Sequence, residues 1–331
     1  MSVDVREGLA RYLAEQWSTP VEIPFLRETS AGARRRNLLF DAHDGTKVHP
    51  LVVTIIPNPV NQLLSVSDEA GLILAAEAGG VTVPHVHFCS EDAGYVGGPF
   101  FITQRVEGVT ATRRVLRMVE QVGHGAKIGR QLGQAFAALH AIDADAVPNA
   151  LARPSGMAPS DVAINVVSTQ VADLLQPSPA FSLAVSWLER CQPRAPAKLA
   201  PIHGDVRNGN IVVSESGLQA ILDWELAHVG DPMEDLASLC LRTWRFGHDQ
   251  LEAGGFCERA TVVGSYESAG GSFDLEAFHW WKVLGTLRWG LGLAAQAKGH
   301  LDGSVPNIVM AASGRRVAEL EFDVLNLLGP L

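Results

Sequence analysis

Cysteine is scarce in this sequence, with four residues in 331 and no Cys-x-x-Cys pair. Cys89, Cys191, Cys240 and Cys257 lie far apart, which argues against a zinc ribbon or a disulfide framework and reads as free thiols. Long apolar runs are missing too: no stretch approaches the roughly 20 residues of a membrane span. The opening MSVDVREGLARYLAEQW has no basic segment leading into an apolar one. No membrane partner and a cytoplasmic location are expected. Basic residues are in the minority, 26 Lys and Arg against 36 Asp and Glu, and the net charge of −10 repels phosphate backbones. Nucleic acid is therefore not an expected partner. Nor is there a Gly-x4-Gly-Lys-Ser/Thr loop or a Gly-x-Ser-x-Gly elbow. Gly290-Leu-Gly292-Leu-Ala-Ala295 matches a loose dinucleotide pattern, but it sits inside a helical run and follows no strand, so it reads as helix packing. His85-Val-His87 puts two imidazoles on one side of a short strand, with no third ligand at metal-site spacing.

Hydrophobic residues make up 47% and charged residues 19%, a composition that buries a core. Apolar spacing predicts a helix over 3–17 and short strands over 22–28, 37–42 and 48–56, separated by Gly-containing turns. A helix over 65–78 follows, with Ser65 as N-cap and Gly79-Gly80 as stop, and a strand over 100–106 closes this half. Beyond Glu107-Gly108 the pattern turns helical, over 127–142, 181–192, 233–246 and 274–297. Two short apolar runs, 211–213 and 218–222, read as a hairpin across the polar Ser214–Gly217. The expectation is a small sheet with one helix, a connector near 104–109, a larger helical body, and a cleft between the two.

Chemistry concentrates around that hairpin. The segment Pro201-Ile-His-Gly-Asp-Val-Arg-Asn-Gly-Asn210 enters one arm, and Leu222-Asp223-Trp224-Glu225 leaves the other. Both loop ends then lie at the same edge, so Asp205, Asn210 and Asp223 converge. Two carboxylates and an amide around one point suit Mg²⁺, which keeps waters and shares a nucleotide's phosphates.

His203-Gly-Asp205-x4-Asn210, Asp223-Trp-Glu225 and Gly230-Asp-Pro-x2-Asp235-Leu-Ala237 resemble the catalytic half of the aminoglycoside phosphotransferase and related small-molecule kinase family. At average composition the first motif alone arises by chance in about one chain in a thousand of this length. Val83-Pro84, Gly98-Pro-Phe-Phe101, Leu139-His140 and Leu241-Arg-Thr-Trp-Arg-Phe-Gly247 resemble, more loosely, the branch related to the kinase-like domain of acyl-CoA dehydrogenase proteins. The resemblance implies an α+β, bilobal protein-kinase-like fold, with a small antiparallel-sheet lobe over 1–106 and a larger helical lobe over 107–331. It also implies Mg²⁺-dependent transfer of the γ-phosphate of ATP or GTP to a hydroxyl of a small-molecule substrate. Asp205 is then the catalytic base, Arg207 neutralises charge on the moving phosphoryl group, and Asn210 and Asp223 hold the metal. Backbone groups of Gln104 and Val106 meet the base, and Gly32 and Arg34 belong to the phosphate-covering loop. His203 reads as a loop-ordering residue, and Asp231 and Asp235 as structural supports.

The small lobe departs from the family. Glu69 fits the helix position that pairs with a basic residue on the third strand, yet that strand reads Leu51-Val-Val-Thr-Ile-Ile-Pro57, with Thr54 or Ile55 where relatives carry Lys or Arg. Two readings stay open. In one, a cation is borrowed from Arg34, Arg35, Arg36 or Lys47, which otherwise read as solvated charges around the first hairpin. In the other, nucleotide chemistry is lost and a ligand-binding pseudokinase remains.

Overall fold

The computed structural model describes residues 4–29, 35–57 and 62–329. Helix α1 (Val5–Trp17) is capped by Asp4, whose carboxylate accepts the Arg6 and Glu7 amides. Five antiparallel strands follow, β1 (Glu22–Glu28), β2 (Arg36–His43), β3 (Val48–Ile55), β4 (Val86–Ser90) and β5 (Phe100–Gln104), in spatial order β1-β2-β3-β5-β4. Period-two alternation aims Leu38, Phe40 and Ala42 of β2 and Leu51, Val53 and Ile55 of β3 at one face, where they pack with Leu9 and Leu13 of α1. Gly8 lets the helix lie against the sheet: a Cβ there would fall 1.7 Å from the Tyr95 carbonyl oxygen.

Helix α2 (Val66–Ala78) enters between β3 and β4, and its start is the predicted one, with Ser65 Oγ accepting the Asp68 amide. Its buried face, including Leu72, Ile73 and Ala76, joins a second and larger core together with Phe101 of β5 and the helical body. That body contains α3 (Thr112–Val122), α4 (Gly125–Ala141), α5 (Pro159–Ala172), α6 (Pro179–Arg190), α7 (Met233–Leu239), α8 (Arg259–Ser268), α9 (Leu275–Leu301), α10 (Ile308–Ser313) and α11 (Val317–Leu328). Two small antiparallel pairs are set into it. Strand β6 (Ala200–Ile202) pairs with β9 (His228–Gly230), and β7 (Ile211–Ser214) pairs with β8 (Gly217–Ile221), the expected hairpin.

The helix expected over 233–246 is not continuous. It stops at Leu239 because carbonyls at its end and beyond are taken from outside the helical ladder: Trp244 Nε1 donates to the Ser238 oxygen, Arg245 to the Cys240 oxygen, and Asn208 to the Trp244 oxygen. Trp280 and Trp281 are core residues of α9. No helix among the described residues is long and apolar enough to cross a membrane.

Candidate active site

The loop between β6 and β7 carries His203-Gly-Asp-Val-Arg-Asn-Gly-Asn210 and is fastened from below. Asp235 of α7, fully buried, accepts the backbone amides of His203 (2.9 Å) and Gly204 (2.8 Å). The same carboxylate accepts from His140 Nε2 (3.2 Å), and His140 Nδ1 faces the Tyr266 hydroxyl at 3.1 Å. Gly204 has φ +82° and a Cβ there would sit 2.8 Å from the Leu226 oxygen, so the turn admits glycine alone without strain. His203 orders the loop, its Nε2 donating to the Leu222 oxygen (3.0 Å) while Nδ1 accepts the Asp205 amide (3.2 Å). Asp231 supports the start of α7 by accepting the amide of its first residue, Met233, and also accepts from Trp281 Nε1, both at 2.9 Å.

Asp205 stands above this scaffold. Its carboxylate accepts from Arg207 Nε (3.1 and 3.2 Å) and from Asn210 Nδ2 (2.7 Å). The Arg207 guanidinium lies 5.0 Å from the centre of the Trp244 ring. Burial pushes the Asp205 carboxyl above its usual range; Arg207 and His203 pull it down, and Asp223 adds to the rise. Asn210 also donates to the Asp205 backbone oxygen (2.9 Å), which commits its amide nitrogen and leaves Oδ1 outside those bonds. Asp223 follows β8 in a left-handed conformation, φ +66°, and is tied to the loop because the Leu222 amide donates to the Asn210 oxygen (2.8 Å).

Sequence reasoning missed Asn208. It is fully buried and donates to the Trp244 oxygen (2.6 Å) and the Gly254 oxygen (2.8 Å), joining the catalytic loop to the 244–254 segment. An Asn between Arg207 and Gly209 carries only a turn signal, so nothing local announces this reach.

Across the cleft, Glu69 of α2 is 1% exposed and its partner is Arg35, Nη1 to Oε1 at 2.8 Å. The same guanidinium reaches Glu225 Oε2 through Nε at 2.9 Å and approaches Asp223 Oδ1 at 3.9 Å. Of the other expected cations, Arg36 pairs with Glu28 across β1–β2 and Lys47 lies at the far end of β2–β3. Gly32 and Arg34 lie outside the described residues. Burial raises Glu69 above the usual carboxylate range, Arg35 opposes the rise, and Oε2 of Glu69 is buried without a hydrogen bond.

In the connector, the Gln104 amide is used by the His85 oxygen (2.8 Å) and the Arg105 amide by the Pro50 oxygen (3.0 Å). Val106 is half-buried, and Val109 exchanges two backbone hydrogen bonds with Val213 of β7 (2.8 and 3.0 Å). Asp205, Arg207 and Asn210 are thus in direct contact, Asp223 joins them through Leu222, and Glu69 reaches Asp223 through Arg35. Among the described residues no three His, Cys, Asp or Glu side chains converge as a metal cage. The donors present, the Asp223 carboxylate and the Asn210 amide oxygen, suit an ion such as Mg²⁺ that draws its remaining ligands from phosphates and water.

The family model described as the phosphotransferase enzyme family matches residues 26–273. Mouse acyl-CoA dehydrogenase family member 10 is 27% identical over 180 residues, covering 54% of this chain but only 17% of that protein. An Escherichia coli thiamine kinase is 44% identical over 62 residues, 17% of this chain and 22% of the kinase. The chain thus spans about a fifth of these relatives' length. Among solved structures, a Ralstonia eutropha protein named for the aminoglycoside phosphotransferases superposes with a TM-score of 0.76 at 20% identity, covering 97% of both chains. The GDP complex of aminoglycoside 2′-phosphotransferase-IIIa gives 0.65 at 14% identity, covering 97% of this chain and 99% of the other. With a kinase-like fold shared along nearly its whole length and a family match through both the sheet and the catalytic loop, the chain belongs to the phosphotransferase enzyme family.

Proposed function

We propose that the chain transfers the γ-phosphate of ATP or GTP to a hydroxyl of a small molecule, with a nucleotide-binding lobe over 1–106 and a catalytic lobe over 107–331. The observation that carries the reading is Asp205, a carboxylate 19% exposed, oriented by Asn210 and Arg207 on a loop anchored by Asp235. Asp205 would accept the acceptor's hydroxyl proton as that oxygen bonds to the γ-phosphorus and the bond to the bridging oxygen of the nucleoside diphosphate breaks. A carboxyl pushed upward by burial is a stronger base than an ordinary one. Arg207, stacked on Trp244, would face charge on the transferring group. Asn210 and Asp223 would hold Mg²⁺, which when bound neutralises nucleotide phosphate charge. Gln104 and Val106 would contact the base, and Gly32 and Arg34 would belong to the loop over the phosphates.

The competing reading, a ligand-binding protein without phosphoryl transfer, rests on Thr54 standing where a cation is expected. Arg35 at Glu69 weighs against it. The test measures turnover with ATP and with GTP across a panel of hydroxylated metabolites that includes thiamine and aminoglycosides, for the wild type, Asp205→Ala and Asp223→Ala. Loss of at least a hundredfold in both variants supports the reading, and unchanged turnover removes it. Thermal shift with Mg-ATP and Mg-GTP separates the alternatives, because a ligand bound only to the native state raises stability by RT ln(1 + [L]/Kd).

A further inference from the structure

We infer that Arg35 is the phosphate-facing cation of the nucleotide site, supplied from the residue just before β2 in place of the one β3 lacks. The inference rests on the nucleotide reading above and goes beyond it by naming a residue that the third-strand position does not predict.

Strand parity selects this residue. The register pairs Asn37 with Thr54 and Arg36 with Ile55. Leu38, Phe40, Val53 and Ile55 face α1, so Asn37 and Thr54 face the cleft, where their side chains hydrogen-bond at 2.8 Å. Arg35 lies two residues from Asn37 and therefore on the same face. It is diagonal to Thr54, and diagonal neighbours in an antiparallel pair stand about 7–8 Å apart, a gap a long side chain covers. The guanidinium is 11% exposed and contacts Glu69, Glu225 and Asp223, one carboxylate from α2 and two from the segment after β8. A cation held between the α2 glutamate and the expected metal ligand stands where the phosphates of a nucleotide bound to that metal would pass.

The test compares binding of Mg-ATP and Mg-GTP with that of adenosine and guanosine in the wild type, Arg35→Ala, Arg35→Gln and the double variant Arg35→Ala/Thr54→Lys. Arg35→Gln keeps a donor for Glu69 and guards against loss of folding in Arg35→Ala. Removing the charge is expected to weaken the preferred nucleotide at least tenfold, to leave its nucleoside unchanged, and to be largely reversed by Thr54→Lys. Equal weakening of nucleoside and nucleotide would mark Arg35 as a structural residue and overturn the inference. Unaltered nucleotide binding in both single variants, or no recovery with Thr54→Lys, would do the same. Absence of nucleotide binding by the wild type removes the nucleotide site itself, and this inference with it.

Discussion

Replacing Asp235 should loosen the catalytic loop by a predictable amount. Its fully buried carboxylate takes three donors: the His203 amide, the Gly204 amide and His140 Nε2. Asp235→Ala strands all three, and at roughly 1–3 kcal/mol for each buried donor left unpaired the cost is about 3–9 kcal/mol. Typical stabilities are about 5–15 kcal/mol, so the variant is expected to fold marginally. Asp235→Asn keeps the shape. His203 and His140 share Oδ2 whereas Gly204 uses Oδ1, so an amide nitrogen turned toward Gly204 strands one donor and retains two, for roughly 1–3 kcal/mol. Urea denaturation of the three proteins gives the ladder, and native-state hydrogen exchange at the His203 and Gly204 amides locates it. Asp235→Ala within about 1 kcal/mol of the wild type, with both amides still protected, would refute the reasoning, because the cost of an unpaired buried donor is its premise.

Three further outcomes are expected. Arg207 lowers the carboxyl of Asp205, so Arg207→Ala should move the acidic limb of the kcat/KM profile to higher pH; a limb that stays put would mean Asp205 is not the group titrating. Glu234 is buried, which alone would raise its carboxyl, but Arg288 and His228 hold it at about 2 against a usual 4.5. That difference contributes about 3 kcal/mol, fully present above the unfolded value and lost as pH falls from about 4.5 toward 2; melting curves through this window should show the loss, and Glu234→Gln should flatten it. Gly8→Ala drives a methyl into the Tyr95 carbonyl and should destabilise the α1–sheet core by about 2 kcal/mol or more, read from the urea midpoint.

Much of this architecture is legible in the residues because local signals and tertiary packing agree. Ser65 with Asp68 marks a helix start that the structure keeps, and the Ser214–Gly217 turn sets the hairpin. The predicted helix through 246 overran by seven residues because the interruption is made by Asn208 and other side chains acting on its carbonyls, a tertiary event with no local trace. Helix α5 opens on Pro159 and has no side-chain cap, so its mixture of Ser, Thr, Asn and valine carried no clear boundary. Four cations stood near the first hairpin in the sequence; among the described ones the strand register separates two, setting Arg36 opposite Ile55 on the α1 side of β2, where it bridges Glu28, and Arg35 on the other face.

The connector has a mechanical consequence. Arg105 is fixed to the sheet by its amide on the Pro50 oxygen and its guanidinium on Asp41 (2.8 Å). A Cβ on Gly108 would fall 2.6 Å from the Val213 carbonyl oxygen, and Val109 is stitched to the same residue. Bending of this strap would then fall on Val106 and Glu107, the two residues between these fastenings. A base seated on Val106 would rest on the axle, so the torque needed to open the cleft and the identity of the base would be set by the same peptide unit.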